Sequence, residues 1–220
     1  MKISEIIDLL EQYAPIALAD EGDRPKVGLQ MGSVNNECTG VVTCLDVTLD
    51  VLKKAVENGC NMVVSHHPMI YYPLQKIDES EVNGKAIAYA FRNDITIYSA
   101  HTNFDKCEVG TNASLVRLLG GKLVDTFECC FLFEVAPISV RELTKKVASV
   151  LNDKSVKMAG NLKKVVTKIA VCSGGGGGSY GYLNYAGRNA DVYISGDMPH
   201  HIYQEAVGRD FPVIEFSHYA

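Results

Sequence analysis

Residues 61–68 read NMVVSHHP, an apolar β-branched run followed by two adjacent histidines and a proline. Met62, Val63 and Val64 in succession leave no polar face, so the run is predicted as a strand over 61–65 covered on both sides. Pro68 has a fixed φ and no backbone N–H, and so turns the chain out of the ladder. Two of the six histidines therefore stand where a buried strand emerges.

The pattern extends in both directions. Upstream, TGVVTCLDVT (39–48) is a second β-branched run, and Thr48 is placed to cap the helix TLDVLKKAVENG, which Gly59 ends. Further upstream Ile6, Ile7, Leu9, Leu10 and Tyr13 recur at helical spacing, with Ser4 as N-cap and a stop before Pro15. Between them GLQMGSVNNE (28–37) reads as a glycine-punctuated turn region. Downstream the spacing predicts helices over 82–92, 112–119, 139–151, 180–188 and 199–207, and strands over 95–99, 131–135, 166–172, 191–195 and 212–216. Strands alternating with helices imply an α/β fold, with mostly parallel or mixed sheets flanked by helices. The expected organisation over 220 residues is a single unit, or two α/β lobes of about 1–125 and 126–220.

Composition narrows the function classes. There are 21 basic against 26 acidic residues, a net charge of -5, and no run of Lys or Arg longer than a pair such as Lys163-Lys164. A basic face for nucleic acid is not supplied. The start, MKISEIIDLLEQYAP, interrupts its apolar residues with Glu5, Asp8 and Glu11, which neither a signal peptide nor a membrane span tolerates. A cytoplasmic protein is expected. Seven cysteines without a C-x-x-C, two of them the neighbours Cys129 and Cys130, suggest reduced and mostly buried thiols.

On these strand assignments every histidine lies beyond a strand's carboxyl end, where α/β sheets gather ligands. His66 and His67 follow 61–65, His101 follows 95–99, His200 and His201 follow 191–195, and His218 follows 212–216. Imidazole with a nearby carboxylate is the mixed N/O donor set that suits Zn, Mn, Fe, Co or Ni. SAHTNFDKC (99–107) supplies that carboxylate: His101 and Asp105, at i and i+4, reach one point if the loop coils into a helical turn. A pair of metals bridged by such donors is a common arrangement in hydrolysis.

Together GLQMG (28–32), LDVT (45–48), VVSHHP (63–68), HTNFD (101–105), CSGGG (172–176), ISGD followed by HH (194–201) and SHY (217–219) resemble, in order and spacing, the Nif-three-like dinuclear metal-centre family, the homologues of GTP cyclohydrolase I type 2. The likeness runs over nearly the whole chain and is to the short form without an inserted domain. It implies a Nif-three-like fold, with two divalent metal ions per chain held by His66, His67, His101, Asp105 and His218 at one site shared by the lobes. It also implies a toroidal homohexamer. The sequence departs from the family pattern in two places. RPK (24–26) stands where members carry W-D-N, and the sequence stops at Ala220, two residues short of a usual glutamate ligand.

Other constellations leave alternatives. Gly176, Gly178 and Gly181 form G-x-G-x-x-G with Asp197 twenty-one residues past the first glycine, the local form of a dinucleotide fingerprint, although late in the chain. The same loop also reads as one that admits a substrate phosphate, or as a plain tight turn; no Lys follows to make a P-loop. Asp46 can orient an imidazole or cap the turn after it. Cys107 reads as a buried thiol rather than a nucleophile. His200 and His201 are candidates for a general acid or a phosphate contact. The leading expectation is a metal-dependent hydrolase acting on a nucleotide or other phosphorylated small molecule. The alternative is a non-catalytic, metal-binding hexameric scaffold or regulatory protein.

Overall fold

The computed structural model describes residues 1–220. The chain divides into two compact units, Met1–Glu108 and Val109–Ala220.

The first unit contains α1 (Ile3–Tyr13), β1 (Gly28–Met31), β2 (Val41–Cys44), α2 (Leu49–Glu57), β3 (Met62–Ser65), α3 (Val82–Arg92), β4 (Thr96–Ser99) and α4 (Thr102–Lys106). Its sheet has the order β1-β4-β3-β2. β2, β3 and β4 run parallel and β1 closes one edge antiparallel to β4. Met62 and Val63 are fully buried, as a strand covered on both faces requires. Leu52 and Ala55 of α2 and Ile87 and Ala90 of α3 pack with Val63 and Ile97 on one side. Ile3 of α1 packs with Met62 and Tyr98 on the other, with Ile6, Ile7 and Leu10 beside them.

Several expectations are met closely. Thr48 caps α2, its Oγ1 accepting from Val51 N at 3.2 Å, and α3 spans the predicted 82–92. Others need correction. Ser4 lies inside α1, which Lys2 caps, with Glu5 Oε2 accepting from the Lys2 N–H. Leu9 and Tyr13 are exposed rather than on the buried stripe. GLQMG is a strand and not only a turn: Gly28, at φ 89°, opens β1, whose Gly28, Leu29 and Met31 pair with β4, and Gly32, at φ 99°, follows it. A Cβ on Gly32 would stand 2.5 Å from Thr96 Cα, so glycine is there for close strand approach as well as for its backbone angle.

The second unit contains α5 (Thr111–Leu118), β5 (Lys122–Phe127), β6 (Cys130–Ser139), α6 (Val140–Val150), β7 (Lys157–Ala159), β8 (Val165–Cys172), α7 (Tyr180–Asn189), β9 (Val192–Gly196), α8 (His200–Gly208) and β10 (Val213–Phe216). They build a six-stranded mixed sheet, β5-β6-β8-β9-β10-β7, parallel only through β8, β9 and β10. α5 and α6 cover one face through Leu115, Val116, Leu143 and Val147. α7 and α8 cover the other through Leu183, Ala186, Ile202 and Ala206. The unit begins well before the expected lobe boundary near 125, because Leu115 and Val116 of α5, and Leu119 just after it, join the core around Phe133. The sequence reading omits β5 and β7. Every residue of β5 is exposed and β7 has three residues, so neither carries an apolar period.

Cys107, Cys129, Cys130 and Cys172 are buried. No helix is long and apolar enough to cross a membrane.

Ile97 sits fully buried in the middle of β4, the strand that leads to His101. Ile97→Ala should destabilise the protein by roughly 2–5 kcal/mol. The urea unfolding midpoint measures this, and a loss below about 1 kcal/mol would mean that β4 is not a core strand.

Candidate metal centre

The parallel register sets β3 and β4 level at their carboxyl ends, with Ser65 opposite Ser99 and their hydroxyls 2.7 Å apart. Backbone pairing then continues past the strands. His66 N and His67 N donate to the carbonyls of Cys44 and Leu45 at 3.0 and 2.9 Å, and Ala100 N donates to Ser65 O at 2.9 Å. The two histidines after β3 are therefore fixed by the ladder itself, beside Asp46 on one side and the start of α4 on the other. α4 is the helical turn that the i, i+4 spacing requires: Phe104 N and Asp105 N both donate to His101 O. Asn103, fully buried, locks the turn by accepting from His101 N at 2.9 Å and donating to Ala14 O at 2.7 Å.

These elements bring His66, His67 and His101 together, with one candidate ligand atom from each all within 4.8 Å of one another. Their ring centroids lie 5.1 to 5.6 Å apart. Asp105 joins them, its Oδ1 3.6 Å from His66 Nε2. Each imidazole is anchored through Nδ1. His66 donates to Ala100 O at 2.9 Å, His67 to Asp46 Oδ1 at 2.8 Å and His101 to Asp23 Oδ2 at 2.6 Å. A carbonyl or carboxylate can only accept, so Nδ1 carries a proton, and in the neutral ring the lone pair is then on Nε2. Asp46 thus takes the orienting role of its two sequence readings.

Electrostatics favour the neutral ring at His66. Burial holds the His66 imidazole below its usual range, and the nearby His101 and His67 lower it further against the pull of Asp105. Burial pushes the Asp23 carboxyl up, but hydrogen bonds from His101 and Thr102 outweigh it and bring it down to about 2. Three imidazoles anchored through Nδ1, with Nε2 free to turn inward, and one carboxylate fit a borderline divalent metal such as Zn, Mn, Fe, Co or Ni. The donor set suits a metal better than any of its members suits a bare protein surface: the lone pairs converge and the outer nitrogens are all satisfied.

The remaining predicted residues belong to the second unit. His218 follows β10 and repeats the local arrangement, its Nδ1 2.6 Å from Asp197 Oδ2. Asp197 itself has φ 53°. Gly174 and Gly175 lie against this pair, since a Cβ at either would stand 3.5–3.6 Å from the His218 ring. The glycine run forms a 3-10 turn over Gly174–Gly178. A Cβ on Gly176 would meet Cys172 Sγ at 2.4 Å, and one on Gly177 would meet Gly196 O at 2.3 Å. Packing against β8 and β9 therefore accounts for two of the glycines. The acidic residue of the dinucleotide fingerprint holds an imidazole instead, which removes support from that reading. His200 and His201 open α8 and are exposed, with the His201 ring stacked on Tyr180 at 5.6 Å.

Asp23 is the residue of this cluster that sequence reasoning missed. It lies in the loop ADEGDRPK and meets His101, 78 residues away. No local spacing marks it; the only signal is an acidic residue that ends up 5% exposed.

The profile of the family described as Duf34/NIF3 (NGG1p interacting factor 3) matches residues 1–220. A relative from Methanocaldococcus jannaschii named "GTP cyclohydrolase 1 type 2 homolog" is 35% identical over 228 residues, covering 100% of this chain and 89% of the relative. One of the same name from Clostridium perfringens is 31% identical, covering 100% and 86%. Among solved structures, reduced HcgD from Methanocaldococcus jannaschii superimposes with a TM-score of 0.87 at 31% identity, over 100% of this chain and 88% of that one. The Staphylococcus aureus hypothetical protein SA1388 does so with 0.89 at 26% identity, over 100% and 86%.

His66→Ala and His101→Ala should each lower the bound divalent metal per chain while leaving far-ultraviolet circular dichroism unchanged. Elemental analysis after gel filtration decides. Wild-type stoichiometry in both variants would exclude this cluster as a metal centre.

Proposed function

Since the chain belongs to the Duf34/NIF3 family, we propose that it is a metal-dependent hydrolase whose divalent metal centre is held by His66, His67, His101 and Asp105. Its substrate on this reading is a nucleotide or other phosphorylated small molecule. The observation that carries the proposal is the convergence of three anchored imidazoles within 4.8 Å, with the Asp105 carboxylate beside them. A metal held there supplies Lewis acidity toward a carbonyl or phosphoryl oxygen and lowers the pKa of water.

The protein's own groups have separate tasks in this reading. The three Nε2 lone pairs and Asp105 hold the cation. Ala100 O, Asp46 and Asp23 keep the Nδ1 protons in place, so that no imidazole turns its N–H toward the site. Two metals per chain, His218 as a further ligand, and a homohexamer are parts of the proposal that rest on the family resemblance alone. His201 and His200 are proposed to contact phosphate or donate a proton to the leaving group, as exposed imidazoles at the start of α8.

The relatives' shared name makes GTP the first compound to try. Protein loaded with Mn or Zn should release product from GTP or from one of a panel of phosphorylated small molecules, and His67→Ala should reduce that rate by at least 100-fold. Fully loaded protein that turns over none of them would refute the hydrolase and leave a metal-binding scaffold.

A further inference from the structure

We propose that Asp23 is a positioning residue of the metal centre, which fixes the ring of His101 and strengthens it as a ligand through its negative charge. The inference rests on the metal reading above.

Asp23 is 5% exposed, and one of its carboxylate oxygens does three things at once. Oδ2 accepts from His101 Nδ1 at 2.6 Å, from Thr102 Oγ1 at 2.7 Å and from Thr102 N at 3.4 Å. Its loop is also tied to α4 by independent contacts. Asp20 N donates to Thr102 Oγ1 at 3.1 Å, and Lys106 Nζ pairs with the Asp20 carboxylate. Within the loop, Asp23 N donates to Asp20 O and Lys26 N donates to Asp23 O, each at 2.8 Å. The position of Oδ2 is therefore overdetermined by the fold. Burying a carboxylate is costly unless it is paired and hydrogen-bonded, so a charge kept here needs a task that a neutral residue would not perform.

The simplest structural task is capping the start of α4. An asparagine in place of Asp23 would serve that equally, since it keeps an acceptor oxygen in the same place. What it would not keep is the charge behind Nδ1–H, which makes the opposite nitrogen a better donor. The three anchors are graded in this respect. His66 has a neutral carbonyl, His67 has Asp46 with 61% of its side chain exposed, and His101 has the buried Asp23. Solvent screens the charge of Asp46 but hardly that of Asp23. The effect of removing the charge should therefore be large at Asp23 and small at Asp46.

The test measures Zn affinity by competition with a chromophoric chelator for wild type, Asp23→Asn, Asp23→Ala, Asp46→Asn and His101→Ala, with thermal unfolding of the metal-free proteins as a fold control. Side-chain 1H–15N spectra of the metal-free proteins report the His101 tautomer. Expected is Zn binding about 10- to 100-fold weaker in Asp23→Asn, less than about threefold weaker in Asp46→Asn, and a His101 ring that loses its Nδ1–H bias in Asp23→Ala. If Asp23→Ala does not fold, Asp23→Asn decides alone. Zn affinity within about twofold of wild type in Asp23→Asn, with binding lost in His101→Ala, would overturn the role of Asp23 and leave the metal centre intact. Unchanged affinity in His101→Ala as well would overturn both.

Discussion

An imidazole is a metal ligand only while one nitrogen is bare and aimed, and three imidazoles this close hold that state only if each outer nitrogen has an acceptor. That constraint organises the first unit. His66 takes its acceptor from the chain just after β4, His67 from the turn after β2, and His101 from a loop that begins beyond α1. Three separate segments must therefore arrive at the carboxyl edge of one sheet. The level register of β2, β3 and β4, sealed at Ser65 and Ser99 by their hydroxyls, brings two of them there.

The second unit applies the same local solution in different surroundings. His218 leaves a parallel strand and donates from Nδ1 to Asp197, which leaves the neighbouring strand. The backbone of Asp197 takes a left-handed conformation that few residues other than Gly, Asn and Asp accept. An uncommon backbone conformation and a short hydrogen bond thus coincide at one residue. Gly174 and Gly175 lie against that pair, and any Cβ on Gly176 or Gly177 would collide with β8 or with β9 and its following turn.

Much of this was legible in the sequence wherever chemistry and local period coincide. All six histidines stand past strand ends, His101 and Asp105 share one helical turn, and Asp46 lies close enough to its strand to be suspected. Elements without a period were not legible. β5 is exposed along its whole length, β7 is too short, and β1 is masked by the glycines that let it approach β4. Asp23 illustrates a deeper limit. Its contact spans 78 residues, and nothing in its own segment distinguishes it from Asp20 or Glu21 until the fold is formed. The role of Asp197 was obscured in another way, since its spacing from the glycines suggested a nucleotide motif.

The ladder that runs on through His66 N and His67 N has a consequence for ion choice at the proposed metal centre. Ligands mounted on strand ends are ordered before a cation arrives, so little conformational entropy remains to be lost on uptake and affinity benefits. The same stiffness deprives the cage of adaptability. A flexible loop could remodel around ions of different size and preferred coordination, whereas donors clamped by backbone pairing must take the ion whose geometry already matches. Discrimination among similar divalent cations then falls to shape rather than to bond strength, which by itself would always favour copper.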